Sequence, residues 1–237
     1  MSSPDTKPCV GVVIQARMGS SRLPGKVLKE LTAGRTVLGY LLERLSNCRQ
    51  ADKILVATTT NPGDDILVEW LEERKYPYYR GSENDCLDRF YRAGKQFDID
   101  ATVRITSDCP LVIPAVVDEM ITYYVNNRTQ IDYLSNRQYT NFPEGLDVEI
   151  FSQELVKEAA DNAFLQEERE HINYYFLKRD SRYRIRYYNH NLGYDYSCFK
   201  LSIDTQSDLD NCKTFFEKKQ LPLDFSLHEL IKVLTLR

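Results

Sequence analysis

Residues 10–16, VGVVIQA, run directly into residues 17–26, RMGSSRLPGK, and this junction decides the fold. The first segment is apolar and rich in β-branched residues, bounded by polar loop residues, and predicts a buried strand. The second gathers Arg17, Arg22 and Lys26 with Gly19, Gly25, Ser20, Ser21 and Pro24, and predicts a cationic loop. Working outward, strand and helix patterns alternate. Thr36 opens a helix with Val37, Leu38, Leu41, Leu42 and Leu45 on one face. Strands are predicted at 53–59 (KILVATT), 76–79 and 101–106 (ATVRIT), and Asp64 can cap a helix bearing Ile66, Leu67, Trp70 and Leu71. Helices are predicted at 85–97 and at 115–125, the latter with Pro114 in its first turn. This order implies an α/β fold, a mainly parallel sheet sandwiched by helices.

After about residue 130 the rhythm changes. Strand candidates at 131–135, 146–151, 183–190 and 198–203 are less regularly spaced, helices fall at 152–162 and 167–178, and two more close the chain. With no linker, repeat or low-complexity tract, residues 1–237 are expected to form one domain. Within it the regular half spans about 8–130, and the less regular half about 131–237.

Composition narrows the function. A net charge of −4, with basic and acidic residues well mixed, disfavours nucleic acid as a partner. The six cysteines show no C-x-x-C spacing, which argues against zinc and for reduced thiols. Without a signal pattern or a long apolar run, the expected location is the cytoplasm, with no membrane partner.

Parallel α/β sheets bind ligands beyond the carboxyl ends of their strands, so the loop after the first strand is the first place to look. Glycines let backbone N–H groups approach phosphate, and Arg forks and a Lys point charge neutralise it. Neither the Walker spacing nor G-x-G-x-x-G is present; Gly19 to Gly25 is one residue too long and Val27 follows the Lys. A solvated basic turn is the alternative.

The string IQARMGSSRLPGKVL resembles the signature loop of the cytidylyltransferases that make CMP-sugars, closest to the spore-coat polysaccharide branch. The likeness continues through RGSENDCLDRF, VRITSDCPL, FPEGLDVEIF, REHI and IDTQSDL. It implies a glycosyltransferase-A-like nucleotidyltransferase fold, CTP as donor, Mg²⁺ as cofactor, and a small-molecule acceptor. Members of such folds are often homodimers. Arg17, Arg22 and Lys26 would hold the triphosphate and, with Asp108, form the catalytic set. Ala16, Gly19, Ser20 and Ser21 would complete the nucleotide loop. One departure is Ser107, where the family usually has Gly before the Asp.

Asp108 follows the strand ATVRIT, and a carboxylate there can hold Mg²⁺ against phosphate oxygens. Asp204, after CFKLSI, occupies an equivalent place in a second predicted strand and could complete the metal site. A turn or helix-cap role is the alternative for both. Asp147 and Glu149 share one face of an alternating strand and could bind an acceptor, assist the metal or face water. Arg169 and His171, on a predicted helix, could pair with an acidic acceptor. His190 and His228 read as structural. Thr58, Thr59 and Thr60, together with Arg80, Gly81, Ser82 and Glu83, end two strands and could meet the nucleobase. Tyr123, Tyr124, Tyr133, Tyr139 and Phe142 could shape the acceptor pocket or a dimer interface. The expected reaction is CMP transfer from CTP with release of pyrophosphate. The alternatives are another nucleoside triphosphate, a sugar-nucleotide-dependent glycosyltransferase, or a non-catalytic binding protein.

Overall fold

A computed structural model of the chain describes residues 7–219 and 221–235. The first strand, β1 (Val10–Gln15), is buried on both sides, and a small hairpin follows it, β2 (Glu30–Thr32) and β3 (Arg35–Thr36). The chain continues through α1 (Val37–Leu45), β4 (Lys53–Thr59), α2 (Asp65–Glu73), β5 (Tyr78–Gly81), α3 (Cys86–Gln96), β6 (Ala101–Thr106) and α4 (Pro114–Asn126). The second half holds β7 (Tyr133–Ser135), β8 (Glu149–Ser152), α5 (Gln153–Asn162), α6 (Gln166–Glu170), α7 (Ile172–Leu177), β9 (Ile185–Tyr187), α8 (Gln206–Lys219) and α9 (Leu227–Thr235).

One sheet runs in the order β5-β4-β1-β6-β8-β7-β9. The first four strands are mutually parallel, whereas β8 is antiparallel to both β6 and β7. Alternation along β1 divides the core. Val10, Val12 and Ile14 pack with α1, α2, α4, α8 and α9, while Val13 faces α3, α5 and α7. The mainly parallel sheet between helices is therefore as the alternation implied. Among the described residues no helix is long and apolar enough to cross a membrane.

Local capping follows the sequence closely. Thr36 Oγ1 accepts from Gly39 N at 3.0 Å, and Pro114 occupies the first turn of α4. Other expectations need correction. Residues 198–203 form no strand; they make a single bridge between Glu144 and Lys200, because the backbone they meet, at Glu144 and Asp108, belongs to loops rather than to a strand. Residues 167–178 form two helices rather than one, broken at His171, which is extended (φ −116, ψ 93). The break leaves Arg169 beside α3 while Ile172, Tyr175 and Phe176 bury against the sheet. The strand expected at 76–79 lies at Tyr78–Gly81, and the hairpin β2–β3 had no counterpart in the sequence reading. Tyr124, Tyr133 and Phe142 are core residues, whereas Tyr139 is 84% exposed. All six cysteines are free; Cys86 and Cys109 are buried.

Candidate active site

The loop at residues 16–26 leaves β1 at the carboxyl end of the parallel strands and folds back on itself. Gly25 N and Ser20 N both donate to Met18 O, at 2.9 and 3.0 Å. Gly25 takes the left-handed conformation (φ 68) that this return requires and that glycine adopts without strain. Leu23 and Val27 anchor the loop in the core. Asp64 fastens it from outside: its Oδ1 accepts from Met18 N at 2.6 Å, and its other oxygen bonds Thr59 Oγ1. Asp64 thus stands at the start of α2 but makes no side-chain cap there, which corrects its expected role. A short carboxylate 2% exposed is better spent on an otherwise unpaired loop N–H.

Of the three loop cations, Arg17 pairs apart from the other two, while Arg22 and Lys26 converge on Asp204. Arg17 is exposed and meets Glu83 Oε1 at 3.4 Å, and Asn61 Nδ2 donates to the other oxygen of Glu83 at 2.6 Å. Arg22 Nη2 reaches Asp204 Oδ1 at 2.7 Å. Lys26 is the most enclosed, with its side chain 12% exposed. Its Nζ donates to Asp108 Oδ2 at 2.8 Å, to Ile203 O at 2.8 Å and to Asp204 Oδ1 at 3.3 Å. One ammonium therefore joins the two carboxylates that the sequence singled out from distant segments.

Asp108 follows β6, and its backbone carbonyl accepts from Ile203 N at 2.8 Å, which ties the two carboxylate segments together. Burial alone would raise its carboxyl, yet the Lys26 charge and hydrogen bonds from Lys26 and Thr106 outweigh burial and hold it below the usual value. Asp204 does not cap α8. Thr205 Oγ1 accepts from Asp208 N, and Asp208 Oδ2 accepts from Asp204 N and Thr205 N, a reciprocal capping box. That leaves the Asp204 carboxylate free to face Lys26, Arg22 and, at 3.3 Å, Lys200. The segment is set by Gly145 (φ 97), where a Cβ would lie 2.4 Å from Ser202 N. Only glycine lets residues 144–145 approach 201–202 so closely.

The remaining expected contacts divide. Arg80 turns toward the β4 loop, donating to Thr59 O at 2.8 Å and pairing with Asp65 at 2.7 Å. Thr58 is fully buried with an unpartnered hydroxyl. Ser82 is exposed, and its carbonyl accepts from Arg89 Nη1 at 2.6 Å. Asp147 lies at the sheet rim, 3.7 Å from Arg137. Burial, with Glu149, Glu144 and Asp108 nearby, outweighs Arg137 and pushes its carboxyl up to about 6. Glu149 is 3% exposed and does not face water or the cleft; it forms a buried ion pair with Arg104 and bonds Tyr133 Oη. Arg104 in turn clamps Gln15 Oε1 through Nε and Nη2 at 3.2 and 2.9 Å. Arg169 is a tie between elements, bonding Asp85 at 2.9 Å and the carbonyls of Ala160 and Ala163. His171 is exposed against the Tyr174 ring, away from these contacts.

Sequence reasoning missed Asp64, Asn61, Gln15, Arg104 and Lys200 as site or supporting residues. Asp64 carried a signal, an acid just past a strand end, but it was absorbed by the capping pattern. Arg104 was visible as a charge inside an apolar strand, a position that demands a buried counter-ion.

Among the described residues no cluster of three or more His, Cys, Asp or Glu side chains could hold a metal. Two hard carboxylates converging on one cation nevertheless suit Mg²⁺, which takes one or two carboxylates plus phosphates and water. The arrangement as a whole, a cationic loop facing paired carboxylates, can bind a polyphosphate and neutralise charge at a phosphorus centre.

A sequence-family profile described as cytidylyltransferase matches residues 11–230. The spore coat polysaccharide biosynthesis protein SpsF of Bacillus subtilis is 30% identical over 227 residues, covering 94% of this chain and 92% of that protein. A cytidylyltransferase structure from Leptospira borgpetersenii superposes with a TM-score of 0.90 at 35% identity, covering 96% of this chain and 94% of that one. A CMP-2-keto-3-deoxy-manno-octonic acid synthetase complexed with CTP superposes with a TM-score of 0.69 at 14% identity, covering 89% and 99%, a likeness of fold.

Proposed function

The chain belongs to the cytidylyltransferase family, and from that premise we propose that it transfers CMP from CTP to a hydroxyl of a sugar, sugar acid or related acceptor, releasing pyrophosphate. The destination we assign is a surface polysaccharide or glycoconjugate, supported by the likeness to the Bacillus subtilis spore coat protein. The observation that carries the reading is the junction of Lys26 with Asp108 and Asp204 beneath the cationic loop.

Arg17, Arg22 and Lys26 receive the triphosphate, with the backbone of residues 16 and 19–21 lining it. The acceptor oxygen attacks the α-phosphorus in line, the bond to the bridging oxygen breaks, and the loop cations stabilise charge on the departing pyrophosphate. Asp108 and Asp204 would hold Mg²⁺, which when bound supplies charge neutralisation at the phosphate oxygens. Asp147, with its carboxyl near 6, is suited to take a hydrogen bond or proton from the acceptor hydroxyl. Glu149 and Arg104 act through Gln15 from below the cleft, and Arg169 steadies the 80–85 loop through Asp85. One domain, with a donor half and an acceptor half, is the organisation this reading uses.

The test is pyrophosphate release from CTP, ATP, GTP and UTP against a panel of sugars, sugar acids and phosphorylated polyols. CTP-dependent release with one acceptor class is the expected result. Turnover of a sugar nucleotide without pyrophosphate would replace the proposal with glycosyl transfer.

A further inference from the structure

The protein keeps its two cleft carboxylates occupied by its own cations. Lys26 spans Asp108 and Asp204, Arg22 takes the same Asp204 oxygen as Lys26, and Lys200 takes the other oxygen at 3.3 Å. Three ammonium or guanidinium charges thus surround two carboxylates. A divalent cation arriving alone finds no negative charge to spare, and it must compete with an ammonium that is already desolvated. Removing a buried ammonium from its partners without offering it new ones is unfavourable.

The three cations are not equivalent. Lys200 is also held by Asp208 at 3.0 Å, so it has a second anchor when its contact to Asp204 changes. Arg22 is 62% exposed and can leave into water at little cost. Lys26 is the enclosed one of the three and touches both carboxylates, and among the described residues it pairs with no other acid. It also sits at the end of the loop that faces a polyphosphate, on a flexible four-carbon stem that can turn from carboxylate to phosphate.

We propose that Lys26 couples metal and nucleotide binding: it shields the carboxylate pair from a free divalent cation and releases it when a triphosphate draws the ammonium away. The idea rests on the proposed metal role of Asp108 and Asp204. It gives Lys26 two opposite effects. Neutralising it strengthens binding of the metal alone and weakens binding of the nucleotide, and by linkage the coupling between the two ligands falls by the same factor whichever binds first.

The test titrates the full chain with Mn²⁺, followed by paramagnetic resonance, without nucleotide and then with saturating CTP. Lys26→Met is expected to bind Mn²⁺ alone about tenfold more tightly than the parent chain, and to lose a similar factor in the CTP-induced gain, a size usual for coupled sites. Lys26→Gln, which keeps a donor while losing the charge, should move in the same direction and serves if the Met variant is poorly folded by thermal melting. Unchanged or weaker Mn²⁺ binding in the folded variant overturns the coupling. Asp108→Asn placed in the Lys26→Met background separates the two ideas. If it abolishes the Mn²⁺ site, the carboxylate assignment stands whatever Lys26 does; if Mn²⁺ binds as before, the metal site itself lies elsewhere and the coupling falls with it.

Discussion

Glu149→Gln separates a buried ion pair from an acceptor contact. Arg104 is 6% exposed and Glu149 3%, and the pair is walled by Tyr133, whose hydroxyl bonds the same carboxylate. Burial alone disfavours the Arg104 charge, and Glu149 more than restores it, so the guanidinium is held charged. The variant keeps the shape and leaves that charge with Gln15 Oε1, a neutral acceptor, as its main remaining partner. Removing one member of a buried pair costs about 3–5 kcal/mol. In a chain of this size each kcal/mol lowers Tm by about 2–4 °C, so a loss of roughly 6–20 °C is expected. Thermal melting followed by circular dichroism at pH 7.5, with urea titration beside it, measures this. Arg104→Met added to Glu149→Gln should recover much of the loss, because an apolar replacement of both members is often near neutral. A Tm change below about 2 °C in the single variant would refute the reasoning, since it lies within the range of ordinary surface substitutions.

Asp147 has its folded-state carboxyl raised to about 6, so the folded protein holds that proton more tightly than the unfolded chain, and the cost of ionisation is present above pH 6 and disappears as pH falls toward 4. Asp147→Asn should therefore stabilise the protein by about 1–3 kcal/mol at pH 7.5 and by little at pH 4, measured by urea unfolding, while lowering kcat/KM for the acceptor. Arg22→Ala should leave Tm nearly unchanged, because the side chain is 62% exposed, yet cut pyrophosphate release by about 30- to 1,000-fold if its charge stabilises the leaving group. Arg169→Ala removes the tie to Asp85 and two carbonyl contacts, so it should lower Tm and weaken CTP binding measured by calorimetry, rather than act on the acceptor alone.

The parallel half of the fold was legible where its strands are short apolar runs bounded by polar loops, and less so at β5, whose YYRG is only partly buried. Lys53–Thr59 and Ala101–Thr106 fall at the residues their sequences mark. The antiparallel half was less so. Strand β8 is only Glu149–Ser152, and residues 198–203 look like a strand in composition but find no strand to pair with. Pairing depends on distant neighbours, which periodicity does not contain. At the candidate site, Arg17, Arg22, Lys26, Asp108 and Asp204 were legible as charges at strand ends. Their mutual pairing was not, because it spans residues far apart in the chain. Glu149 illustrates the limit: period two assigned it a polar face, and only the buried Arg104 on the adjacent strand explains why that face is closed to water.

The backbone bond from Ile203 to Asp108, with the passage that Gly145 allows, has a consequence for how the enzyme matures. The cationic loop and Asp108 emerge early in synthesis, and the sheet around β1 can form from them and their neighbours. Asp204 joins only when the last part of the chain has closed a long loop, a contact of high sequence separation that is slow to form. Until then a growing chain carries the loop cations but lacks the second carboxylate. On the proposed roles of the two carboxylates, such a chain holds only half of the metal site, and competence waits for the segment at 201–204 to dock against residues 144–145.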